Sequence, residues 1–101
     1  MIIYIDIDDT ICRNELLDNE LNYSKAIPIK NAIKKANKLF DAGHTIVYWT
    51  ARGTVSGIDW RDITIKQFKD WGVKYHELKF GKPNYDLFID DKVINSNTYF
   101  K

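Results

Sequence analysis

Three carboxylates, Asp6, Asp8 and Asp9, follow the apolar run Ile2–Ile5 near the start of the chain. The run is short and rich in β-branched residues, so it predicts a buried strand that ends at the acids. A turn after Asp6 would let the Asp6 and Asp8 side chains converge. Two carboxylates held close together in a partly buried site repel each other, and they need a cation between them or a shared proton. The spacing therefore predicts an acidic site at the carboxyl edge of a sheet, where ligands of open α/β proteins bind.

Two later apolar runs also end in polar residues. Residues 44–50 form a strand-like run that ends at Thr50, and residues 87–89 precede the paired acids Asp90 and Asp91. In a parallel sheet with right-handed crossovers, all strand carboxyl ends lie along one edge. We therefore expect the three polar strand ends to contribute to one composite site.

The segments between these strands predict two helices and a flap. Apolar side chains recur at helical spacing over residues 28–40, with Pro28 in the first turn. A second helix is expected over residues 60–71, with Asp59 as its N-cap. Residues 11–27 show no clean period and are interpreted as a flap or short hairpin over the end of the first strand.

Strands that alternate with helices predict an α/β fold with a mainly parallel sheet. We expect a three-layer Rossmann-like sandwich formed by a single domain over residues 1–101, with no cap domain. Residues 73–76 predict a short third strand, and the tail after Asp91 predicts one more. The segment between that third strand and residues 87–89 is too short for a crossover helix.

Composition narrows the function classes. The net charge of +1 disfavours a strongly basic nucleic-acid surface, although it does not exclude a local patch. Cys12 is the lone cysteine, which favours a reducing compartment. No apolar run is long enough to span a bilayer, and the N-terminus lacks the pattern of a signal peptide. We therefore expect a cytoplasmic protein that does not bind membranes.

Four short motifs follow one another along the chain. They are a predicted apolar strand with D-x-D-x-T, a predicted strand ending in threonine, a Lys-Pro pair, and a predicted strand ending in paired acids. In this order they resemble the motifs of haloacid dehalogenase (HAD)-type phosphohydrolases, over nearly the full chain and as a small capless member. The first and fourth motifs together are specific, whereas many unrelated strands end in threonine. The matching positions are Asp6, Asp8 and Thr10, then Thr50, then Lys82, then Asp90 and Asp91.

The resemblance implies a Mg²⁺-dependent phosphatase. Asp6 would attack phosphorus and form an aspartyl-phosphate, and Asp8 would be the general acid/base. A carboxylate can approach a dianionic phosphate only if a cation offsets the repulsion, and Mg²⁺ suits this because it prefers hard oxygen ligands. The implied metal ligands are Asp6, the backbone carbonyl of Asp8, Asp91 and Asp90, and the sequence leaves open which of the last two binds directly.

The other matched residues imply phosphate contacts. Thr50 would hydrogen-bond a phosphoryl oxygen, and Lys82 would neutralise charge on phosphate and nucleophile. Lys74 and Lys79 compete with Lys82 for this role. Pairing with an acid of its own turn is the structural alternative for Arg52. The candidates for substrate binding are Arg52, Thr10 and Asp9.

The substrate class is less defined than the reaction. A small phosphorylated metabolite such as a sugar phosphate is the first expectation, with a polynucleotide 3′-phosphatase as the second. A non-catalytic binding or regulatory domain with a HAD-like fold is the alternative from another class. Without a cap the site would be open, so either the substrate is large or a neighbouring subunit of a homo-oligomer covers it.

Overall fold

The computed structural model describes residues 1–14, 16–17 and 20–101, with residues 16, 17, 20 and 21 described by their backbone alone. The strands of the central sheet alternate with helices along the chain as predicted, and the flap adds four short strands before the first α-helix. In chain order the elements are β1 (Ile2–Ile5), β2 (Cys12–Arg13), β3 (Leu16–Leu17), β4 (Glu20–Leu21), a 3-10 helix (Tyr23–Lys25), β5 (Ile27–Pro28), α1 (Lys30–Asp41), β6 (Thr45–Trp49), α2 (Arg61–Trp71), β7 (Glu77–Lys79) and α3 (Ser96–Tyr99).

The central sheet has three parallel strands in the order β1, β6, β7. Ile2 is in register with Thr45, and Val47 is in register with Glu77. The prediction of an α/β fold with a parallel sheet is therefore confirmed. The parallel order brings the ends of β1 and β6 to the same edge, which places Asp6 and Thr50 near each other.

The core lies on one face of this sheet. Ile5, Ile46 and Tyr48 point towards α1 and α2, where they meet buried side chains such as Ile33 and Phe68. Tyr48 and Phe68 form an edge-to-face pair with ring centroids 4.9 Å apart. Because side chains alternate along a strand, Ile2 and Tyr4 lie on the opposite face, and they are 72% and 50% exposed.

The flap is built from short antiparallel pairs. Strand β2 pairs with β5, and β3 pairs with β4, so the hairpin interpretation is confirmed for the described residues. Pro28 was predicted in the first helical turn, but it lies in β5 opposite Cys12, and α1 begins at Lys30. Proline has no N–H to donate, and an edge strand such as β5 tolerates this loss.

Two strand predictions near the C-terminus are wrong. Residues 87–89 form no strand, and Leu87 and Ile89 are 75% and 87% exposed. The tail forms α3 in place of a strand, because the Asn95 side chain accepts a hydrogen bond from the Asn97 N–H and caps a helix.

The third strand is displaced along the sequence. It comprises Glu77–Lys79, and residues 73–76, where the strand was expected, instead connect α2 to the sheet. The Val73 N–H bonds to the Phe68 carbonyl, and the His76 N–H bonds to the Ile46 carbonyl. The second predicted helix is confirmed from Arg61 to Trp71, but its N-cap residue is Trp60 and not Asp59, whose Oδ1 accepts the Arg61 N–H at 2.9 Å. Among the helices of the described residues, none is long and apolar enough to cross a membrane.

Candidate active site

The turn that follows β1 sets the geometry of the acids. Ile7 and Ile11 are fully buried, and the Ile11 N–H bonds to the Ile7 carbonyl at 2.9 Å. Asp9 adopts a left-handed backbone with φ 62°, which aspartate tolerates better than most residues. The buried Ile7 therefore separates Asp6 and Asp8, and both carboxylates remain partly exposed at the carboxyl edge of the sheet.

Asp6 lies beside a lysine. Lys82 Nζ is 3.4 Å from Asp6 Oδ1, and the two side chains are 15% and 36% exposed. Thr10 Oγ1 lies 3.5 Å from Asp6 Oδ2 and 3.4 Å from Ser96 Oγ. Burial raises the pKa of Asp6, the Lys82 charge opposes this shift, and the nearby Asp8 charge adds to it. The pair combines a partly dehydrated carboxylate with a cation that can face an anionic ligand.

The backbone of the Lys82 loop is attached to the end of β6. The Lys82 N–H donates to the Thr50 carbonyl at 3.1 Å, and Thr54 Oγ1 donates to the Lys82 carbonyl at 2.7 Å. The Thr50 N–H in turn bonds to the Lys79 carbonyl at 2.9 Å. These bonds hold Lys82 next to the first strand end, although Lys82 and Asp6 are far apart in sequence.

The competing lysines lie elsewhere. Lys79 Nζ donates to the Tyr4 hydroxyl at 3.1 Å, and Lys74 Nζ pairs with Asp41 at 2.8 Å. Of the three candidates, Lys82 is therefore the one that contacts Asp6 in the described structure.

Asp8 is paired with Arg52. The Arg52 Nη2 donates to Asp8 Oδ1 at 2.9 Å, and Nε donates to Oδ2 at 3.0 Å. The Arg52 side chain is fully buried, whereas that of Asp8 is 22% exposed. Asn14 Nδ2 also donates to Asp8 Oδ1, at 2.7 Å. Arg52 is thus paired with an acid, as the structural alternative predicts, but that acid belongs to the turn after β1 and not to the turn that contains Arg52.

Side chains of α2 bind the Arg52 guanidinium through Nη1, the nitrogen that does not contact Asp8. Its Nη1 donates to Thr64 Oγ1 at 3.0 Å and to Gln67 Oε1 at 2.6 Å, both on α2. The Tyr23 ring lies under the guanidinium at 4.9 Å. A fork with this many fixed partners positions Asp8 accurately, because each donor of the planar group has a defined direction. Helix α2 therefore connects to the acidic turn through Arg52.

Thr50, Asp9 and Cys12 differ in how far they are buried. Thr50 is buried, and its Oγ1 accepts the Arg52 N–H at 3.1 Å, which shapes the turn after β6. The Asp9 side chain is exposed. Burial raises the pKa of the Cys12 thiol to about 12, so that group stays protonated at neutral pH.

The C-terminal acids are not gathered with the others. Asp90 and Asp91 are exposed, and Asp90 Oδ1 accepts the Lys92 N–H at 2.9 Å, which lowers the pKa of Asp90. No group of three or more His, Cys, Asp or Glu side chains that could hold a metal ion occurs among the residues described. Asp6 and Asp8 alone, each beside a cationic side chain, do not make a Mg²⁺ site, so this conformation of one chain does not fit the implied metal.

A pocket of about 280 Å³ opens next to the Arg52 turn, between α2 and the loop that leads to Lys82. Arg61 stacks over the Phe80 ring at 4.7 Å along its wall. Trp60 also lines it, and within the described residues its buried Nε1–H has no hydrogen-bond partner. The wall thus combines a cation with aromatic surface, which suits a ring that carries polar groups.

Sequence reasoning did not identify Thr64 and Gln67 as supports of the site. One signal was present: both are polar residues next to Phe68 on the buried face of an amphipathic helix, where polar side chains need partners. Ser96, which approaches Thr10, had no comparable signal because it lies 86 residues away.

No family model and no curated protein matches the chain. Among solved structures, it is similar to a crystal structure from Vibrio cholerae described as an MCSG target, at 22% sequence identity and a TM-score of 0.82. The similarity covers 97% of this chain and 85% of the other. At this identity the match shows a shared fold and nothing about activity.

Proposed function

We propose that the chain is a HAD-like, Mg²⁺-dependent phosphomonoester hydrolase that acts on a small phosphorylated metabolite such as a sugar phosphate. The observation that carries the proposal is the contact between Lys82 and Asp6 at the carboxyl end of β1, with Nζ 3.4 Å from Oδ1. A partly exposed carboxylate beside a cation, at this edge of a parallel sheet, is suited to attack on a bound phosphate.

In the proposed reaction, Asp6 attacks phosphorus and the bond to the ester oxygen breaks. The phosphoryl group passes to the carboxylate while Asp8 gives a proton to the departing ester oxygen. Water, which loses a proton to Asp8, then attacks phosphorus, and the bond between phosphorus and Asp6 breaks to release phosphate. Lys82 balances the charge that gathers on the phosphoryl oxygens, and this kind of stabilisation dominates phosphoryl transfer. The pocket beside Trp60 and Arg61 is proposed to receive the leaving group, because Gly81, which lines it, is the neighbour of Lys82 in the chain.

Asp8 is the proposed general acid. Its Oδ1 accepts hydrogen bonds from Arg52 and Asn14, whereas Oδ2 accepts a hydrogen bond from Arg52 Nε in the described structure. Oδ2 has fewer protein partners than Oδ1, so it is the oxygen proposed to face the ester oxygen. Arg52 would orient Asp8, and substrate contact by Arg52 itself is disfavoured because its donors already have protein partners.

Mg²⁺ remains the proposed cofactor, with the Asp6 carboxylate, the Asp8 backbone carbonyl and the acids Asp90 and Asp91 as the groups that would hold it. When bound, the ion would offset the repulsion between the attacking carboxylate and the phosphate. This assignment requires that Asp90 and Asp91 approach Asp6.

The finer fold proposal is a three-layer Rossmann-like sandwich, and the proposed location is the cytoplasm.

The test is hydrolysis of p-nitrophenyl phosphate with Mg²⁺ and with EDTA. We expect release that depends on the metal and is abolished in Asp6→Asn, with the folded structure retained. Asp62→Asn, an exposed acid of α2, is the matched control and should keep full activity. Full activity in Asp6→Asn would remove Asp6 as the nucleophile. No release with any divalent metal would favour a non-catalytic domain.

The substrate class is tested separately. A panel of sugar phosphates and 3′-phosphorylated oligonucleotides should show higher kcat/KM for the sugar phosphates, because a net charge of +1 provides little attraction for a nucleic-acid strand. A preference for oligonucleotides would support the polynucleotide 3′-phosphatase reading.

A further inference from the structure

Strand β1 lies at the edge of the sheet. It pairs with β6 on one side, and on its other side no described strand is hydrogen-bonded to it. Ile2 and Tyr4 are 72% and 50% exposed. An unpaired edge with apolar side chains is a template for one more strand.

The same chain presents an unpaired apolar segment. Leu87 and Ile89 are 75% and 87% exposed, and Val93 and Ile94, which follow shortly after, are 53% and 61% exposed. Soluble proteins rarely leave such a contiguous apolar stretch in water unless it meets a partner. The paired acids Asp90 and Asp91 directly follow Ile89. We call residues 86–91, which include both acids, the exchange segment.

The exchange segment is poorly placed to pair with its own β1. Lys82 is fixed at the carboxyl edge by its bonds to Thr50 and Thr54. Parallel pairing would require residues 83–86 to travel back along the whole of β1. Four extended residues span at most about 14 Å, and a four-residue strand is about 13 Å long, so no residue is left for the reversal of direction. Parallel neighbours normally need a dozen or more connecting residues.

We propose that the exchange segment of a second copy pairs in parallel with β1, reciprocally, in a symmetric dimer. Register with Asp90 beside Asp6 puts Leu87 and Ile89 on the same face as Ile3 and Ile5, next to the core. The partner thus supplies the carboxylates that the single chain does not bring to its own site. The catalytic part of this inference depends on the proposed function, whereas the strand exchange does not.

The exchange would bury apolar side chains on both partners. Leu87 and Ile89 would move from water to the core face beside the partner's Ile3 and Ile5, and backbone pairing along β1 would add further buried area.

The first experiment measures mass by sedimentation equilibrium and requires no activity. We expect the wild-type chain to be a dimer and Ile89→Lys to be a folded monomer by circular dichroism. Val55→Lys is the matched control, because Val55 is 80% exposed in another loop, and it should remain a dimer. A monomeric wild type would overturn the inference, and so would a dimeric Ile89→Lys variant.

The second experiment tests whether the site is shared, by co-expression of Asp6→Asn and Asp91→Asn chains with different tags. Each variant alone should be inactive. In the mixed dimer, one site combines an intact Asp6 with the partner's intact Asp91, so random pairing should restore about a quarter of wild-type activity. Sites completed within one chain would restore none, which would overturn the exchange while the proposed function stands. If the wild type hydrolyses no phosphomonoester, the proposed function fails and the sedimentation result still decides the exchange.

Discussion

The Arg52 guanidinium holds the Asp8 carboxylate with three hydrogen bonds: Nη2 donates to Oδ1 at 2.9 Å, and Nε donates to Oδ2 at 3.0 Å and to Oδ1 at 3.3 Å. The arginine side chain is fully buried, and the partner acid reaches the surface of the site. The ion pair therefore fixes the second acid of the acidic turn from inside the protein. It couples the stability of the fold to the geometry of the candidate site.

Arg52→Ala should lower the free energy of unfolding by about 3–5 kcal/mol, because breaking a buried pair leaves Asp8, Thr64 and Gln67 without their partner. Urea unfolding measures this change. Arg61→Ala is the control: its exposed guanidinium stacks on Phe80, and its loss should cost about 1 kcal/mol or less. Equal losses in the two variants would show that the Asp8 pair contributes no more than a surface contact.

Lys82→Ala should reduce kcat/KM for p-nitrophenyl phosphate by roughly 100- to 1000-fold, the range for losing one group that stabilises transition-state charge. Lys79→Ala should stay within about twofold, because Lys79 donates to the Tyr4 hydroxyl, away from Asp6. Steady-state kinetics with both purified variants provide the comparison. A larger loss in Lys79→Ala would transfer the phosphate-binding role to that lysine.

Gly53→Ala should destabilise the fold far more than Gly57→Ala. Both glycines have positive φ, 81° and 74°, so each alanine carries a strain of about 1–2 kcal/mol. A Cβ at Gly53 would also collide with the Ile58 carbonyl oxygen, whereas a Cβ at Gly57 meets nothing within 4 Å. The collision should add about 1–3 kcal/mol, as overpacking does. Thermal unfolding of the two variants separates the backbone strain, which both share, from the collision of the Cβ with the Ile58 carbonyl, which only Gly53→Ala has. Similar melting temperatures would contradict the crowding at Gly53.

Tyr48→Phe should stabilise the protein by about 1 kcal/mol, because the buried Tyr48 hydroxyl has no hydrogen-bond partner within the described residues. The pair with Phe68 is retained by the new ring.

The same variant has a pH dependence of definite sign. Burial raises the pKa of Tyr48 above its ordinary value of 10.0, so above pH 10 the unfolded chain loses this proton while the folded chain keeps it. This linkage lowers wild-type stability with rising pH, by up to about 1.4 kcal/mol per pH unit, and Tyr48→Phe lacks it. Urea unfolding at pH 8 and at pH 11 measures the gap, which should widen at the higher pH. Tyr99→Phe, at an exposed position, should show no such widening.

Much of the framework could be predicted from the sequence. The run before Asp6 and the run before Thr50 form parallel neighbours as expected, and the helical period placed α1 and α2 to within about two residues, apart from Pro28. These features depend on the alternation of apolar and polar residues within one segment, and that alternation is a local property.

The structure of the last apolar run, residues 87–89, could not be predicted from the segment itself. Residues 87–89 have the composition of a buried strand, yet they are exposed and unpaired in the described chain. A strand forms only when an edge can accept it, and the short connection from Lys82 prevents a parallel return to β1. Connection length and edge availability belong to the topology and not to the segment.

The sequence by itself determined that acids follow β1 and that threonine ends β6, because a hydrophobic run and the polar residue after it are adjacent in the chain. Only the tertiary structure decided that Lys82 contacts Asp6 and that Arg52, 44 residues away, binds Asp8. Partners of this kind depend on which loops the sheet order brings to one edge. An ion pair needs its two groups within about 4 Å, and sequence spacing between distant segments does not fix such a distance.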